Sequence, residues 1–383
     1  MTSKEETIYS TISISNSDPG HAISNIPAHV RVRGNSTATV AKKPYKIEFI
    51  EKQSMLGLNG GSRFKKWVLL AEYFDFSMLH NYISFKLGNL LPNISYSSDC
   101  TFVHVYVDAS YRGVYLLAEQ NQINKNRINI HKYDPSEGLK VDTGYLFEID
   151  HQYFKTGQPG VDYFDVPIGG TVGDWDHYTI IGDTRLPEQL DFIQTYMLRV
   201  FDAIMNNDRD TITALIDLDS AVEMTIHGLI SHNPDKGSYY FFKDAGGTLT
   251  FGAPWDYDLG FGSWKDREAV DRIFLNRALH FLYQIPWYRQ LVINRWQQLR
   301  QMGIFDELLS MTRLDDAACP ASQFPNAFEY NFEKWNKWGN KTIRFQTDNV
   351  LKYRSHADAV NDLHDWLTRK IAWLDIELAN SSP

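Results

Sequence analysis

The chain has 383 residues, of which 43% are hydrophobic and 22% charged, so it has the composition of a globular protein with room for two lobes or domains. The formal net charge of -9 argues against nucleic acid as the main partner, because phosphate backbones are bound by basic surfaces. No apolar run reaches the roughly 18 residues of a membrane helix, so we expect no membrane span.

Two further features bear on the cellular location without deciding it. Cys100 and Cys319 are too few for a disulfide framework, and one bridge or two free thiols are both compatible with them. The N-terminal residues lack the charged-then-apolar pattern of an export signal. A cytoplasmic protein and a secreted or surface protein whose signal has been removed both remain open.

The first 120 residues are dominated by strand patterns. Alternating or continuous apolar residues predict strands over residues 7–15, 28–33, 43–49 and 66–71. An amphipathic helix is predicted over Met78–Leu91, with Ser77 as its N-cap. A hairpin with strands over residues 101–107 and 113–119 follows, joined by the turn between them.

Helical patterns dominate the rest of the chain. After one strand over Gly144–Asp150, helices are predicted over residues 187–206, 219–232, 281–302, 305–312, 322–337 and 356–379. We expect Asp219 and Ser220 to cap the second of these helices. A short hairpin interrupts them, with a strand at Tyr239–Phe242 and a second strand leading to Trp255. This order predicts an α+β fold with a β-rich lobe, residues 1–120, and a mainly helical lobe, residues 121–383.

A polar turn and a strand lysine form the first candidate site. Arg33, Gly34, Asn35 and Ser36 lie between two predicted strands, and Lys46 lies on the second strand. Backbone N–H groups in such a turn can bind a phosphate, and an arginine adds a planar donor. A lysine on the next strand can reach the phosphates of a nucleotide. An ordinary hairpin turn with solvated basic residues would have the same pattern.

An acidic residue in a polar turn forms the second candidate site. Asp235 follows a predicted helix and lies within the sequence Asn233-Pro-Asp-Lys-Gly237. A carboxylate there can orient an attacking hydroxyl or accept its proton. The alternative is a structural Asx turn, which is common for aspartate beside proline and glycine.

A pair of acidic residues forms the third candidate site. Asp256 and Asp258 alternate on what we predict to be the end of a strand, so both side chains would lie on one face. Adjacent carboxylates repel each other unless a cation lies between them. The sequence Asp258-Leu-Gly260 is also similar to the Asp-Phe-Gly motif of kinases. The alternative is a turn in which the two carboxylates cap Gly260 and Gly262.

Several blocks in the same order resemble the CotH kinase family, atypical kinases named after a spore coat protein. The blocks are Arg31–Thr37, Lys42–Phe49, Lys66–Ala71, Asp75–Asn81, Tyr111–Gln120, Gly144–Asp150, Ile216–Ser220, Ser231–Asp244 and Gly252–Gly262. The resemblance implies an atypical protein-kinase-like, two-lobed fold that binds ATP between its lobes with Mg²⁺ or Mn²⁺. It also implies phosphorylation of Ser or Thr in a protein acceptor, since the prototype acts on coat proteins with serine-rich repeats.

The resemblance also implies roles for individual residues, by matching position. Lys46 would hold the nucleotide phosphates, and Arg33, Gly34, Asn35 and Ser36 would form the covering loop. Glu119 and Gln120 would meet adenine. Asp235 would be the catalytic aspartate, and Asp258 the metal ligand with Asp256 close by.

Two departures from the kinase pattern keep other functions open. The residue five positions after Asp235 is Tyr240 instead of asparagine, which leaves Ser238 as the nearest polar substitute. The predicted helix Met78–Leu91 has no glutamate to pair with Lys46. Adenylyl or glutamyl transfer on a kinase fold, and a non-catalytic module of surface or coat assembly, are therefore alternatives to phosphorylation.

Overall fold

The fold is of the mixed α+β class, as the sequence predicts. The computed structural model describes residues 4–15, 18–150, 158, 160, 163–167, 175–181, 186–235, 237–265, 268–275, 277–335 and 346–381, and in these ranges it has two antiparallel sheets and eleven helices. The chain divides into two compact units. The first unit comprises Met1–Phe85, Ser98–Gln120 and Leu309–Asp365, and the second comprises Lys86–Ser97, Asn121–Leu308 and Trp366–Pro383.

The first unit contains a six-stranded sheet with the order β1-β2-β3-β4-β6-β5. Its strands are β1 (Thr7–Ile14), β2 (Ile23–Val32), β3 (Tyr45–Gln53), β4 (Phe64–Leu70), β5 (Cys100–Val107) and β6 (Ser110–Glu119). Along β3, Tyr45, Ile47 and Phe49 are buried in the hydrophobic core. Because side chains alternate along a strand, Lys46 and Glu48 lie on the opposite face.

The predicted hairpin of β5 and β6 is present, but its turn is shorter than predicted. Val107 pairs with Ser110, so Asp108 and Ala109 alone form the turn. Both residues have positive φ angles, 49° and 60°, as in a type I′ turn, whose twist matches that of the flanking strands. β6 therefore begins earlier than the sequence pattern indicated.

The second unit contains a five-stranded sheet with the order β11-β10-β7-β9-β8. Its strands are β7 (Tyr145–Ile149), β8 (Tyr163–Pro167), β9 (Trp175–Ile180), β10 (Tyr240–Lys243) and β11 (Leu249–Phe251). β8 and β9 were not predicted from the sequence, since they are short and include Asp165, Asp176 and Pro167. Aspartate and proline are rare in strands, so pairing and burial form these strands against local preference. Phe164, for example, packs edge-on against Phe147 at 5.7 Å between ring centroids.

The helices follow the predicted order with changed bounds. They are α1 (Leu58–Gly61), α2 (His80–Leu90), α3 (Pro187–Met205), α4 (Arg209–Leu215), α5 (Leu218–Ser231), α6 (Arg277–Gln284), α7 (Pro286–Gln301), α8 (Ile304–Ser310), α9 (Pro320–Gln323), α10 (Pro325–Trp335) and α11 (His356–Asn380). None of the helices in the described ranges is long and apolar enough to cross a bilayer.

The start of α2 corrects the predicted helix Met78–Leu91. Met78 has a φ of 59°, which a right-handed helix cannot include, so the helix begins at His80. Ser77 does act near the start, since its Oγ accepts a bond from Leu79 N at 3.2 Å. The Asp75 carboxylate also contributes, because its Oδ2 accepts a bond from His80 N at 2.8 Å.

Proline divides two of the predicted helices. The pattern over residues 281–302 is split into α6 and α7 at Ile285, which is extended (φ -77°, ψ 119°) before Pro286. Phe324 similarly separates α9 from α10 before Pro325. Both breaks follow from the steric clash between a proline ring and an α-helical conformation of the preceding residue. The predicted helix over residues 322–337 ends with residues 336–337, which lie outside the described residues.

Aspartates set the starts of two neighbouring helices. Asp217, and not Asp219 with Ser220 as predicted, is the N-cap of α5, since its carboxylate accepts a bond from Ser220 N. Asp208 caps the unpredicted helix α4 through Thr211 N. α4 has only two turns, which is too short for a clear period in the sequence.

Candidate functional site

The strand lysine lies in a group of charged side chains in the first unit. Lys46 of β3 is opposite Arg31 of β2 and Val68 of β4. Its side chain is 14% exposed, and its Nζ lies 3.6 Å from Glu48 Oε2. Lys66 Nζ lies 3.8 Å from the other oxygen of the same carboxylate. Two lysines thus contact one carboxylate, and Arg31 lies opposite Lys46 on the neighbouring strand.

The electrostatics of this group favour an anion. Burial lowers the pKa of Lys46, and the charges of Lys66 and Arg31 lower it further, while Glu48 raises it. Like charges on neighbouring strands repel each other, so such a group is costly without a compensating anion. A nucleotide phosphate would supply that negative charge. The phosphate-binding role of Lys46 stays a prediction.

The predicted covering loop is held by its own hydrogen bonds. Arg33 N donates to Pro44 O at 3.1 Å, which extends the β2–β3 ladder by one bond. Gly34 has a φ of 86°, and a Cβ there would lie 2.0 Å from Thr37 Oγ1. Glycine therefore adopts this position with the least strain. Asn35 and Ser36 follow it as exposed residues at the tip of the loop.

A buried lysine that was not predicted as a site residue anchors the end of this loop. Lys42 is 1% exposed, and its Nζ donates to Ala71 O at 2.7 Å and also to Val114 O. The Nζ also lies 4.5 Å from the centre of the Tyr115 ring. A lysine between two carbonyls and an aromatic face is held in place, so Lys42 has a structural role. Nothing in the sequence distinguishes it from Lys43 or Lys46.

The residues expected near adenine are engaged in local structure. Glu119 is 1% exposed, with Oε1 accepting from Asn59 Nδ2 at 2.8 Å and Oε2 accepting from Asp99 N at 3.1 Å. Its side chain therefore links Asn59 of α1 to Asp99, which precedes β5. Gln120 is partly buried, and the first unit's segment ends at this residue. Contact of either residue with adenine remains a prediction.

The Asp235 turn is built from side-chain bonds to backbone amides in the second unit. Asn233 Oδ1 accepts a bond from Asp235 N at 3.2 Å, and Asp235 Oδ1 accepts one from Gly237 N at 3.1 Å. These are two consecutive Asx turns, which is the structural alternative that the sequence left open. The bonds also orient the Asp235 carboxylate, so a catalytic role is compatible with them.

Asp256 is joined to this turn by two hydrogen bonds. Ser238 Oγ donates to Asp256 Oδ2 at 3.3 Å, and Asn233 Nδ2 donates to Asp256 O at 3.2 Å. Asn233 is only 4% exposed and thus links the Asp235 and Asp256 segments. This role of Asn233 was not predicted, although an Asn-Pro pair before an aspartate is a sequence signal for such a turn.

The predicted strand that was to carry Asp256 and Asp258 ends earlier. β11 stops at Phe251, and Asp256 has a φ of 64°, so the two aspartates lie in a loop. The alternation of a strand therefore does not place them on one face, which corrects that part of the prediction. Asp258 is 7% exposed and lies within a turn in which Gly260 N donates to Tyr257 O at 2.9 Å. Its role as a metal ligand stays a prediction.

Left-handed backbone conformations are concentrated around these carboxylates. We call residues 232–235, 237–238 and 252–262 the acidic site. In this site, five residues other than glycine have positive φ angles: His232, Ser238, Ala253, Asp256 and Phe261. Each such conformation costs about 1–3 kcal/mol and persists only where the surrounding structure imposes it. Such strain is typical of functional sites.

The acidic site has the donor atoms that a hard divalent cation prefers. Asp256, Asp258 and Ser238 offer carboxylate and hydroxyl oxygens, the ligands of Mg²⁺ and Mn²⁺. Among the described residues, no group of three or more His, Cys, Asp or Glu side chains is arranged to hold a metal by itself. Mg²⁺ commonly uses one or two carboxylates plus substrate phosphates, so this donor set fits a metal that binds with a nucleotide.

The chain has an antiparallel sheet that carries a strand lysine, and helices and an acidic hairpin loop follow it in sequence. This order is consistent with a kinase-like α+β fold. Comparison with known protein families matches residues 30–374 to the CotH kinase protein family. The chain therefore belongs to the CotH kinase family, and this membership supports a kinase-like function in general. No curated protein matches the sequence significantly.

Proposed function

We propose that this protein is an ATP- and divalent-metal-dependent kinase that phosphorylates Ser or Thr in a protein acceptor. The observation that carries the proposal is the acidic site, where Asn233 joins the Asp235 turn to Asp256. Family membership supplies the reaction class. An acceptor with serine- or threonine-rich segments, at a cell surface or in a spore coat, is the substrate that the family suggests.

The residues of the acidic site would act on the acceptor hydroxyl. Asp235 is oriented by its bond from Gly237 N, so its carboxylate can hold the hydroxyl and take its proton. Asp258, with Asp256, would hold Mg²⁺ or Mn²⁺, which neutralises phosphate charge when bound. Ser238 would fix the Asp256 carboxylate through its 3.3 Å bond.

The residues of the first unit would bind the nucleotide. Lys46, in a group where cations outnumber carboxylates, would pair with the phosphates. Arg33, Gly34, Asn35 and Ser36 would cover them, with the left-handed Gly34 letting the backbone turn sharply. Glu119 and Gln120 would lie near adenine, and backbone atoms would make the contact at Glu119 because its side chain is engaged.

A non-catalytic module is the second candidate, and α2 favours it. In kinases, a glutamate on the helix after the lysine strand pairs with the lysine. The sequence of α2, HNYISFKLGNL, contains no carboxylate, and the described partner of Lys46 is Glu48 on its own strand. Lys46 can bind a phosphate only if its ion pair with Glu48 opens, and a measurement of ATP affinity tests this.

Mass spectrometry of a treated acceptor tests the proposal directly. The protein is incubated with ATP, Mg²⁺ or Mn²⁺ and a serine-rich peptide, and Asp235→Asn serves as the control. Added phosphate in the wild type alone supports phosphorylation. Added adenylate, or glutamate when glutamate is supplied, would identify a different transferase.

The change in melting temperature on adding ATP distinguishes a kinase or another ATP-dependent transferase from a module that has lost nucleotide binding. ATP with Mn²⁺ at 100 times its dissociation constant should stabilise the fold by about 2.7 kcal/mol. An unchanged melting temperature over a wide range of ATP concentration, with no transfer to the peptide, would favour the non-catalytic module.

A further inference from the structure

The chain segment that follows the acidic site is fastened to the C-terminal helix. We call residues 268–275 the strap segment. Trp366 Nε1 of α11 donates to Glu268 O at 2.8 Å. One turn further along α11, Lys370 Nζ donates to Val270 O at 3.1 Å and to Arg272 O at 2.5 Å. Two side chains of one helix therefore bind three backbone carbonyls of the strap segment.

Lys370 is suited to a permanent structural bond. It is 0% exposed, and its Nζ also lies 4.6 Å from the centre of the Trp373 ring. Burial lowers the pKa of Lys370 to about 7, and the nearby Asp271 carboxylate partly opposes this effect. A neutral amine keeps two N–H groups, one for each carbonyl, so the bonds to the strap segment do not require the charge.

Trp366 also packs against the acidic site. A Cβ at Gly262 would lie 2.2 Å from Trp366 Nε1, so the indole fills the space that a side chain would need. Its ring stacks on His232 at 6.1 Å and meets Phe261 edge-on at 6.5 Å. The same indole thus contacts both ends of the acidic site and the start of the strap segment.

His232 connects these contacts to the candidate catalytic residue. It ends α5 in a left-handed conformation and precedes Asn233, which bonds to the Asp235 and Asp256 segments. Phe274 of the strap segment lies 5.4 Å from the His232 ring. The ring is therefore held between Trp366 and the strap segment, which fixes the strained backbone from which Asn233 extends.

We propose that Trp366 and Lys370 are positioning residues that hold the strap segment against His232 and so fix the Asp235 turn. The catalytic part of this inference depends on the proposed kinase function. The structural part, that these residues hold the strap segment and the Asp235 turn in place, does not depend on that function. Trp366 and Lys370 are not catalytic residues, since they act through His232 and Asn233.

The test uses two substitutions and a matched control. Trp366→Phe keeps an aromatic ring but removes the N–H bond to Glu268, and Lys370→Met keeps an unbranched chain but removes both carbonyl bonds. Trp296→Phe is the control, because Trp296 is buried and donates its indole N–H to Asp375 Oδ1 at 2.8 Å, a partner outside the strap segment. Melting temperatures identify the folded preparations.

Trypsin provides the first readout, since Arg272 is exposed and its carbonyl is a Lys370 partner. Cleavage after Arg272, followed by mass spectrometry of the fragments, should become about fivefold faster in Trp366→Phe, as expected for loss of one hydrogen bond, and faster still in Lys370→Met, which loses two. Hydrogen exchange at the amides of Asp235 and Gly237 should accelerate as well. The control should change neither rate.

Kinetics provides the second readout. In the strap variants kcat should fall about 10- to 100-fold, because small displacements of a catalytic group have effects of this size. The Kd of ATP should stay unchanged, and so should kcat in the control. Unchanged rates of trypsin cleavage and hydrogen exchange in folded strap variants would overturn the proposal. If the wild type is active, faster hydrogen exchange with an unchanged kcat in the strap variants would overturn it as well. If the wild type transfers no group, the kinase function fails, while cleavage and exchange still decide whether the residues position the turn.

Discussion

The two loops that carry the candidate site residues are built in different ways. The first, residues 33–44, has one left-handed residue, Gly34, and is closed by local bonds such as the one from Thr39 N to Ser36 O at 3.1 Å. The acidic site has five left-handed residues that are not glycine and a buried asparagine at its centre. The first loop is thus relaxed, while the second is held under strain by its surroundings.

This difference in backbone strain suits the two loops to different roles, one in binding and one in positioning. A relaxed glycine turn with an exposed tip can adapt to a ligand, which suits covering of phosphates. A strained loop persists only when packing enforces it, and it holds its side chains in fixed positions. We therefore expect changes in the acidic site to affect turnover or the metal on which it depends, and changes in the first unit to affect contacts with the nucleotide itself. The following substitutions test this expectation, from the largest effect to the smallest.

Asp235→Asn should have the largest effect. The amide can still accept the Gly237 bond, so the melting temperature and ATP affinity should stay near those of the wild type. Loss of the carboxylate should lower kcat about 10²- to 10⁴-fold, the usual contribution of general acid–base catalysis. Turnover and melting temperature are measured on one preparation. A less stable variant whose folded fraction keeps full turnover would show that the turn is only structural.

Asp258→Asn should remove metal-dependent nucleotide binding. The variant keeps the size of a side chain that is only 7% exposed, so the melting temperature of the metal-free protein should stay near that of the wild type. In contrast, the stabilisation of about 2.7 kcal/mol by saturating ATP and Mn²⁺ should be lost. Calorimetric titration with Mn²⁺ measures the affinity, and Asp256→Asn is the companion variant. Equal affinity in wild type and Asp258→Asn would assign the metal to another residue.

Lys46→Ala should weaken ATP binding by about 1.5–3 kcal/mol, the contribution of a charged hydrogen bond. The fold should persist, because Lys46 is partly exposed and its neighbouring cations repel it. Lys66→Ala is the matched control, since it removes a second cation from Glu48 and keeps Lys46. Unchanged ATP affinity in Lys46→Ala would exclude this lysine from the nucleotide site.

Gly34→Ala should have the smallest effect, a loss of about 1–2 kcal/mol of stability from the left-handed conformation. The clash with Thr37 Oγ1 should also displace the loop and weaken ATP binding. Gly138→Ala is the control, because Gly138 has a φ of 71° and nothing within 4 Å of the added Cβ. Equal ATP affinity in the two variants would show that the loop does not cover the nucleotide.

Local patterns in the sequence determined most of the secondary structure. Alternation identified the strands through β6, and long amphipathic patterns identified α3 and α11, because one face of each is buried. The order of these elements was enough to predict the α+β class. The blocks around Lys46, Asp235 and Asp258 were enough to suggest the family, which the match over residues 30–374 confirms.

Tertiary structure decided the features that depend on distant partners. β8 and β9 exist because they pair within the second sheet, and Glu119 is engaged because Asn59 lies next to it in space. Lys42 and Lys46 have similar surroundings in sequence, yet burial makes the first a structural anchor. The loop at Asp256, its link to Ser238 and the bonds from Trp366 and Lys370 likewise join residues far apart in the chain. No periodicity encodes such contacts, because each depends on how separate elements pack.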